Sequence, residues 1–291
     1  MAVSALLCQV IGLLAAPGAP HAQQRYDESP LRERVKLRLG GFDAENVSST
    51  ARIDHSSLGI GTLLELEKDL HVEDSATVLR LDGHYRFSRA HRLEWAYYSM
   101  TREGTTGLSR DIRIGGVEFP VGLAVDTELD VAVAEVAYVW SFINVEPYEF
   151  FLGAGLNVRD ITLTATGIGL AAGTERRYDD GGTLPLPTVT FGGRYHVLDK
   201  LSLNFKAETF SLRFGDQSGR LHDTYFLVEY DVTRNFGIGG GLNVFNLDLD
   251  FDVDDTFAGE LRSSHRGLLF YIAGSFGEGR ASNRNLQEVP R

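Results

Sequence analysis

The stretch "VLRLDGHYRF", from Val78 to Phe87, alternates between apolar and ionisable residues along its length. Successive side chains of a β-strand point to opposite faces. One face here carries leucine and aromatic side chains, and the other carries four ionisable residues: Arg80, Asp82, His84 and Arg86. The stretch therefore predicts a strand with one apolar and one charged face. The question is which of these two faces meets the water outside the protein.

The same period of two recurs along most of the chain, whereas helical periodicity is scarce. Clear examples are "RVKLRL" (34–39), "AEVAYVWSF" (134–142) and "LLFYIAGSF" (268–276). The pattern predicts an all-β chain of about twelve strands, and ten remain if 34–54 forms only an arm. We place the strands near 34–43, 47–54, 57–67, 76–87, 91–103, 126–143, 147–164, 185–197, 200–214, 222–233, 235–251 and 258–276.

The connections between these strands alternate between short and long. Tight links fall at 88–91, 144–147, 198–200 and 233–235, and longer polar or glycine-rich links at 104–125, 165–184, 215–222 and 252–258. Short turns at one end and longer loops at the other are typical of outer-membrane barrels. Because lipid cannot satisfy an open sheet edge, such a sheet must close. We therefore expect a single closed antiparallel up-and-down transmembrane β-barrel over 34–276. A soluble sandwich would explain the alternation but not the loop asymmetry.

Aromatic residues recur on the apolar face near the short links. This is where an interfacial aromatic girdle belongs in a membrane barrel. The predicted girdle comprises Tyr85, Phe87, Trp140, Phe142, Tyr195, Tyr230 and Phe276.

If the apolar face meets lipid, the charged face lines the barrel interior. The predicted lumen set comprises Arg80, Asp82, His84, Arg86, Arg92, Glu94, Glu135, Arg194, Lys206, Glu208 and Glu229. Unpaired charges in a confined interior are costly, so we expect opposite charges to pair there. In particular, Arg80, Arg86 and Arg194 should face carboxylates such as Asp82, Glu94, Glu208 or Glu229.

Two strands lose their phase toward the long-loop end. In "LNVRDITL" the apolar face moves from Val158 to Ile161, and in "LNVFNLDLDF" it slips between Val244 and Leu247. Either a bulge or an extension of the strands above the membrane would produce this change.

The N-terminus and the composition indicate an exported protein. Residues 1–22 combine an apolar run, too short to span a bilayer, with small residues before a cleavage site near Ala22, as in a signal peptide. A short segment, 23–33, and a polar tail, 277–291, flank the predicted barrel. The one cysteine, Cys8, lies in the signal region, so a mature chain has no thiol chemistry. The net charge of −12 argues against nucleic acid as a partner.

Three segments carry a family resemblance: "HYRFSRAHRLEWAYYSM" (84–100), "VEFPVGLAVDTELDV" (117–131) and "GGRYHVLDKLSLNFKAETFSLRFGDQSG" (192–219). The chain resembles a family of uncharacterised proteobacterial outer-membrane β-barrel proteins over most of its mature length. The resemblance implies barrel architecture and supplies no catalytic residues. Such barrels usually end on an aromatic residue that closes the barrel, whereas here Phe276 is followed by fifteen more residues.

Three residue pairs could support hydrolysis: Asp82 with His84, His55 with Ser57, and Ser263 with His265. Ion pairing explains the first pair better, because Arg80 and Arg86 flank it. The other two lack a visible orienting group and oxyanion donor. The aspartates of "DLDFDVDD" (248–255) lack the glycine and distal glutamate of a calcium-binding loop. We therefore expect no enzyme, no metal and no cofactor.

The sequence favours a passive, porin-like channel for ions or small polar solutes. The alternatives are a structural or surface-interaction barrel with an ion-paired lumen and, third, an outer-membrane hydrolase. A fully ion-paired lumen or a deep inward-folded loop would favour the second. The expected location is the outer membrane with both termini periplasmic. The expected partners are outer-membrane lipid, lipopolysaccharide, the barrel-assembly machinery and, for a channel, a small polar solute.

Overall fold

The computed structural model describes residues 33–55, 61–168, 176–214, 217–254 and 257–277. The predicted signal peptide and nearly all of the predicted tail lie outside these ranges. Within them, no helix is long and apolar enough to cross a membrane. The elements are β1 (Val35–His55), β2 (Leu64–Glu65), α1 (Leu66–Asp69), β3 (Ala76–Arg86), β4 (His91–Gly107), β5 (Ile112–Ile114), β6 (Val117–Phe119), β7 (Ala124–Val145), β8 (Tyr148–Ile168), β9 (Arg177–Leu198), β10 (Leu201–Phe214), β11 (Gln217–Asp231), β12 (Phe236–Asp254) and β13 (Phe257–Phe276).

Ten of these strands form a closed antiparallel barrel within the described residues. Each long strand pairs with the next, and β13 pairs with β1 from Val35 opposite Phe276 to His55 opposite Phe257. The short strand β2 adds to the edge of β1, and β5 pairs with β6 as a separate hairpin. The closed antiparallel fold predicted from the alternation is confirmed.

The strand count is ten rather than about twelve. The predicted strands 34–43 and 47–54 are one strand, β1, whose register shifts between Glu45 and Ser48. Asn46 has a φ of 52° at this point, a left-handed conformation that asparagine tolerates better than most residues. This irregularity within β1 gives the same sequence signal as a turn between two strands. The third predicted strand, 57–67, is described only from residue 61. This part is strand at Leu64–Glu65, and α1 begins at Leu66.

Tight turns gather at one end of the barrel, which we call the short-turn end. They join β3 to β4, β7 to β8, β9 to β10 and β11 to β12, as predicted. Both ends of the described barrel also lie there, since the amide of Arg34 donates to the carbonyl oxygen of Phe276 at 3.0 Å.

At the opposite end, most of the predicted long links are strand. β7 and β8 run for 22 and 21 residues. At about 3.3 Å per residue such strands are roughly 70 Å long, about twice what a membrane strand needs. The strands therefore have two halves. The half nearer the short-turn end we call the belt: residues 35–41, 79–87, 91–97, 134–143, 150–156, 189–198, 201–207, 226–232, 236–244 and 268–276. The remainder of each strand we call the extension.

The polarity of the barrel wall inverts between the belt and the extension. On β7, Val136, Tyr138 and Trp140 point outward in the belt and are 44–48% exposed. Further along the same face, the outward residues of the extension are Asp126 and Glu128. The inward face of the extension is apolar, with Leu129 and Val133 buried.

This inversion explains the two phase slips seen in the sequence. Pairing of β12 with β11 and β13 continues without a register shift from Val244 to Leu247, and pairing of β8 is continuous from Val158 to Ile161. The strands do not bulge there. Val244 points outward in the belt, whereas Leu247 is buried inside the extension.

The wall of the extension divides beside β9. Pairing of β9 with β10 ends at Val189 opposite Thr209. Pro185 and Pro187 lie just beyond this point, toward the N-terminal end of β9. Because proline has no backbone N–H, it belongs at a sheet edge rather than between two neighbours. β9 therefore continues with β8 as its only strand neighbour among the described residues.

An apolar core fills the extension. One cluster joins the inner faces of β7, β8 and β9 to residues of β2, α1, β5 and β6, and Leu70 and Phe119 in it are fully buried. A second cluster, including Leu221 and Phe245, lies between β9 and the strands β10 to β12. The segments after β1 and β4 thus fold back as parts of a packed core.

Candidate functional site

The interior of the belt is the part of the barrel with the densest set of polar contacts. All eleven charged residues predicted for the lumen have side chains in the barrel interior, where each is buried or half-buried. They come from strands around the whole wall. The strand alternation places them inward because the outward positions of the belt carry the apolar side chains.

A first ion chain crosses the interior with cations and carboxylates in strict alternation. Its members, in order of contact, are Arg194, Glu33, Lys36, Glu229, Arg38, Asp82, Arg80 and Glu135. Lys36 and Glu229 are its most closely spaced pair, and the hydroxyl of Tyr271 also donates to Glu229 Oε2 at 3.1 Å. Four cations and four carboxylates make this chain electrically neutral.

A second ion chain lies nearer to β8. Its members, in order of contact, are Arg86, Glu149, Arg92, Glu94, Lys206 and Glu208. Glu149 Oε1 accepts from Arg86 Nη2 at 2.9 Å, Arg92 Nη1 at 2.6 Å and Ser141 Oγ at 2.6 Å. Three cations and three carboxylates again balance.

A third polar layer separates the ion chains from the apolar core. The hydroxyl of Tyr225 donates to Asp223 at 2.9 Å and accepts from Arg80 Nη1 at 3.1 Å. Asn243 also donates to Asp223. Arg159 lies above this layer with its guanidinium 4.2 Å from the ring centre of Phe245. Cation–π contact thus joins the polar interior to the apolar core.

The pairing that we expected for three arginines differs in its partners. Arg80 contacts Asp82, two residues along its own strand, and Glu135 on β7. Arg86 instead pairs with Glu149, and Arg194 pairs with Glu33. Neither glutamate was in the predicted lumen set, because strand alternation assigns a face but not the residue across the barrel.

Further interior residues were also missed by the sequence analysis. Lys36 and Arg38 stand opposite the apolar face of "RVKLRL", which was a usable signal. Glu149 follows the same rule in "YEFFLGAGL", where Tyr148, Phe150 and Leu152 share the other face. Asp223 shares its face with Leu221 and Tyr225, so the alternation placed it on the less polar face and gave no such signal.

The predicted girdle residues lie on the outside of the belt near the short-turn end. Six of them are 41–51% exposed: Tyr85, Phe87, Trp140, Phe142, Tyr230 and Phe276. Tyr195 is half-buried because its ring stacks on Tyr148, with ring centres 5.1 Å apart. His91 joins this region by a 2.7 Å contact between its Nδ1 and the hydroxyl of Tyr138.

A cavity of about 80 Å³ lies between the two ion chains. At roughly 15 Å³ per water it has room for about five water molecules. Its charged lining is Arg38, Arg80, Asp82, Arg92, Glu94, Glu149, Arg194 and Lys206, and His84 and Asn204 also face it.

The candidate catalytic pairs have other contacts. Asp82 accepts from Arg38 at 3.1 Å and from Arg80 at 3.4 Å, and His84 Nε2 lies 3.7 Å from Glu33. His265 is buried in the extension, with its ring 4.7 Å from that of Phe245. This burial lowers the pKa of His265 to about 3, and the charge of Arg159 acts in the same direction. Ser57 and the side chain of His55 lie outside the described residues.

No group of three or more metal-ligating side chains occurs in the part of the chain that the structure describes. In the acidic stretch 248–255, Asp248 pairs with Arg262 at 3.2 Å and Asp250 accepts from Ser218 at 3.0 Å.

Comparison with known proteins supports the architecture. No family model matches the chain, and no curated protein does. Among solved structures, the outer membrane protease OmpT from Escherichia coli has a TM-score of 0.52 at 11% identity, over 85% of this chain and 98% of that one. The chain has the fold of an outer-membrane β-barrel.

Two other solved barrels align less well in space. The attachment invasion locus protein Ail of Yersinia pestis has a TM-score of 0.33 at 8% identity, over 83% of this chain and 99% of that one. The transport unit of the Escherichia coli autotransporter AIDA-I has a TM-score of 0.40 at 10% identity, over 91% of this chain and 94% of that one. At such identities the likeness concerns the outer-membrane barrel fold alone.

Proposed function

We propose that this outer-membrane barrel has a closed lumen and serves as a structural or surface-interaction barrel. The observation that carries the proposal is that side chains cross the interior at both levels, with a small cavity between the two ion chains. Two neutral ion chains cross the belt, and an apolar core occupies the extension. A water-filled pore needs a continuous polar path, which a packed apolar core interrupts.

The balance of charge also supports a closed interior. Seven cations face seven carboxylates in the two chains, and each has an ion-pair partner. Ten strands leave an interior only slightly wider than the eight-stranded barrels that side chains fill. Long arginine and glutamate side chains reaching from opposite walls are therefore enough to close it.

We place the short-turn end, with both termini, in the periplasm and the extension at the cell surface. In this orientation the belt contacts lipid and lipopolysaccharide, and the short turns face the periplasm, as in other outer-membrane barrels. The final strand, which closes the barrel with Phe276 beside Val35, is the segment that we expect the barrel-assembly machinery to handle.

The outer face of the extension suits an exposed surface. Four carboxylates on β7, β8 and β9 each accept from a threonine of the neighbouring strand, at 2.5–3.4 Å. The pairs are Thr101–Asp130, Thr105–Asp126, Thr164–Asp179 and Thr183–Asp160. These hydrogen bonds fix the positions of the carboxylates on the outer face and leave their negative charge unneutralised.

Current recording in planar lipid bilayers tests the closed lumen. We expect no stepwise conductance from the refolded protein, with a known porin reconstituted in parallel as the positive control. Stepwise ohmic currents would overturn the proposal.

The passive channel favoured by the sequence is the second candidate, because a cavity with a charged lining lies in the belt. If currents occur, Arg80→Glu should shift the reversal potential in a salt gradient toward cation selectivity, since lumen substitutions tune selectivity.

We propose no catalytic role for the chain. Arginines hold Asp82, and aromatic rings enclose His265, so neither is poised as a general base. Peptidase or esterase turnover by the purified protein, lost in Asp82→Asn or His265→Phe, would contradict this.

A further inference from the structure

The cavity between the two ion chains has an unbalanced lining, although the chains themselves are neutral. Five cations line it: Arg38, Arg80, Arg92, Arg194 and Lys206. Only three carboxylates do so: Asp82, Glu94 and Glu149. The other four carboxylates of the chains are not part of the lining. The cavity therefore faces a net charge of +2, with His84 counted as neutral.

Several of these cations are held loosely by their own partners. Lys206 Nζ lies 3.4 Å from Glu94 and 3.6 Å from Glu208. Arg194 Nη1 lies 3.5 Å from Glu33, and Arg80 Nη2 lies 3.7 Å from Glu135. Charge-assisted hydrogen bonds are usually about 2.7–2.9 Å long. Arg194 also donates from Nε to Asn204 at 2.7 Å, and Arg80 donates from Nη1 to Tyr225 at 3.1 Å. Lys206, whose two ion-pair contacts are both long, retains the most donor capacity toward the cavity.

Two cations of the second ion chain are paired tightly. Arg92 Nη1 and Arg86 Nη2 approach Glu149 to 2.6 and 2.9 Å. The contrast sets Lys206 apart as a cation of the lining whose ion-pair contacts are both long, which leaves it donor capacity toward the cavity.

We propose that the cavity binds a small inorganic anion. A volume of about 80 Å³ admits a halide with a few waters. The positive lining selects an anion over a cation, and the buried position protects the interaction from screening by salt. The site does not depend on whether the lumen conducts, so the bilayer recording and the experiments below can fail separately.

Bromide is a direct probe, because it is a halide that can be located by its anomalous scattering. The protein is refolded and crystallised in sodium bromide, so that binding needs no entry route through the folded barrel. We expect an anomalous peak within hydrogen-bond distance of Lys206 and Arg194. A cavity without an anomalous peak would overturn the proposal. Peaks found solely beside exposed arginines would mean an adventitious ion only and would also overturn it.

A solution measurement gives the affinity. The midpoint of thermal unfolding is compared in chloride and in gluconate at equal ionic strength, and we expect a higher midpoint in chloride because the anion binds the folded state. Equal midpoints in the two salts would contradict the site.

Two variants with opposite expected effects separate binding from general destabilisation. Lys206→Met should weaken chloride binding about tenfold or more, because it removes a charged donor. Glu94→Gln should strengthen it, because it makes the lining more positive. Arg177→Gln, in an exposed ion pair with Asp179, is the matched control and should leave the chloride dependence unchanged. A chloride dependence that is the same in all three variants would overturn the proposal.

Discussion

Replacing Glu149 by glutamine should be among the most damaging single changes in the barrel interior. The carboxylate is 1% exposed and accepts from Arg86, Arg92 and Ser141. Glutamine keeps the shape of the side chain and one acceptor oxygen but removes the negative charge. Arg92 retains Glu94 at 2.7 Å, whereas Arg86 loses the carboxylate of its ion pair.

The expected cost follows from leaving a guanidinium buried without its counter-charge. Breaking a buried ion pair by removing one partner costs about 3–5 kcal/mol. Ser141→Ala removes one donor to the same carboxylate and should cost about 1 kcal/mol. Asp179→Asn, in a pair whose side chains are 48% and 59% exposed, should cost at most about 1 kcal/mol.

Denaturant unfolding in detergent micelles or lipid vesicles measures these differences, with fluorescence of Trp95 and Trp140 as the signal. We expect the loss of unfolding free energy to be largest for Glu149→Gln, smaller for Ser141→Ala and near zero for Asp179→Asn. If Glu149→Gln and Asp179→Asn were equally mild, the second ion chain would be solvated and the lumen open to water.

Three further predictions concern the wall, its glycines and the extension. Leu81→Arg should destabilise the folded barrel in lipid by about 2–4 kcal/mol, because it places a charge in the belt facing lipid. The folded fraction is read from heat-modifiable gel mobility. Asp82→Asn should lower this fraction less, and equal effects of the two changes would reverse the assigned faces. Gly239→Leu should destabilise the barrel by about 1–3 kcal/mol, since a Cβ there would lie 2.3 Å from the ring of Tyr271; unchanged denaturant unfolding would count against this packing. Lowering the pH from 7 to 5 should reduce the free energy of unfolding by about 2 kcal/mol through His265. The pKa of His265 is lowered in the folded state, so the unfolded chain binds the proton first as the pH falls below about 6.5. His265→Phe should remove this part of the pH dependence, and an unchanged dependence would refute the prediction.

Strand alternation was enough to predict the class of fold and which side chains of the belt point outward. In "VLRLDGHYRF", each side chain of the charged face has less access to solvent than Leu79 or Tyr85 on the other face. Neighbouring residues of a strand point to opposite sides of the wall, and in the belt these two sides differ in polarity. A period of two therefore indicates which side chains point outward and which point into the interior.

Strand ends were harder to predict, because polarity in the extension no longer marks a loop. Residues 177–184, which include the charged Arg177, Asp179 and Asp180, were assigned to the link 165–184, yet they belong to β9. A solvated outer face over an apolar inner core has the same period of two but the opposite phase. The sequence signals the inversion as a slip, and a bulge would produce the same signal.

Partners across the interior could not be predicted from the strands. Arg86 and Glu149 are 63 positions apart, and Arg194 and Glu33 are 161 apart. Which residue a long side chain meets depends on the number of strands and on the relative heights of opposite walls. Both were uncertain while a local irregularity near Asn46 counted as a strand break.

The central claim is that the wall changes from lipid-facing to water-facing halfway along the strands. Quenching of tryptophan by brominated lipid acyl chains measures it directly. In a background with Trp95→Phe and Trp140→Phe, one variant carries Leu81→Trp in the belt and another carries Thr101→Trp on the outer face of the extension. We predict strong quenching at position 81 and fluorescence at position 101 equal to that in unbrominated lipid. Equal quenching at both positions would place the extension within the bilayer and contradict the inversion.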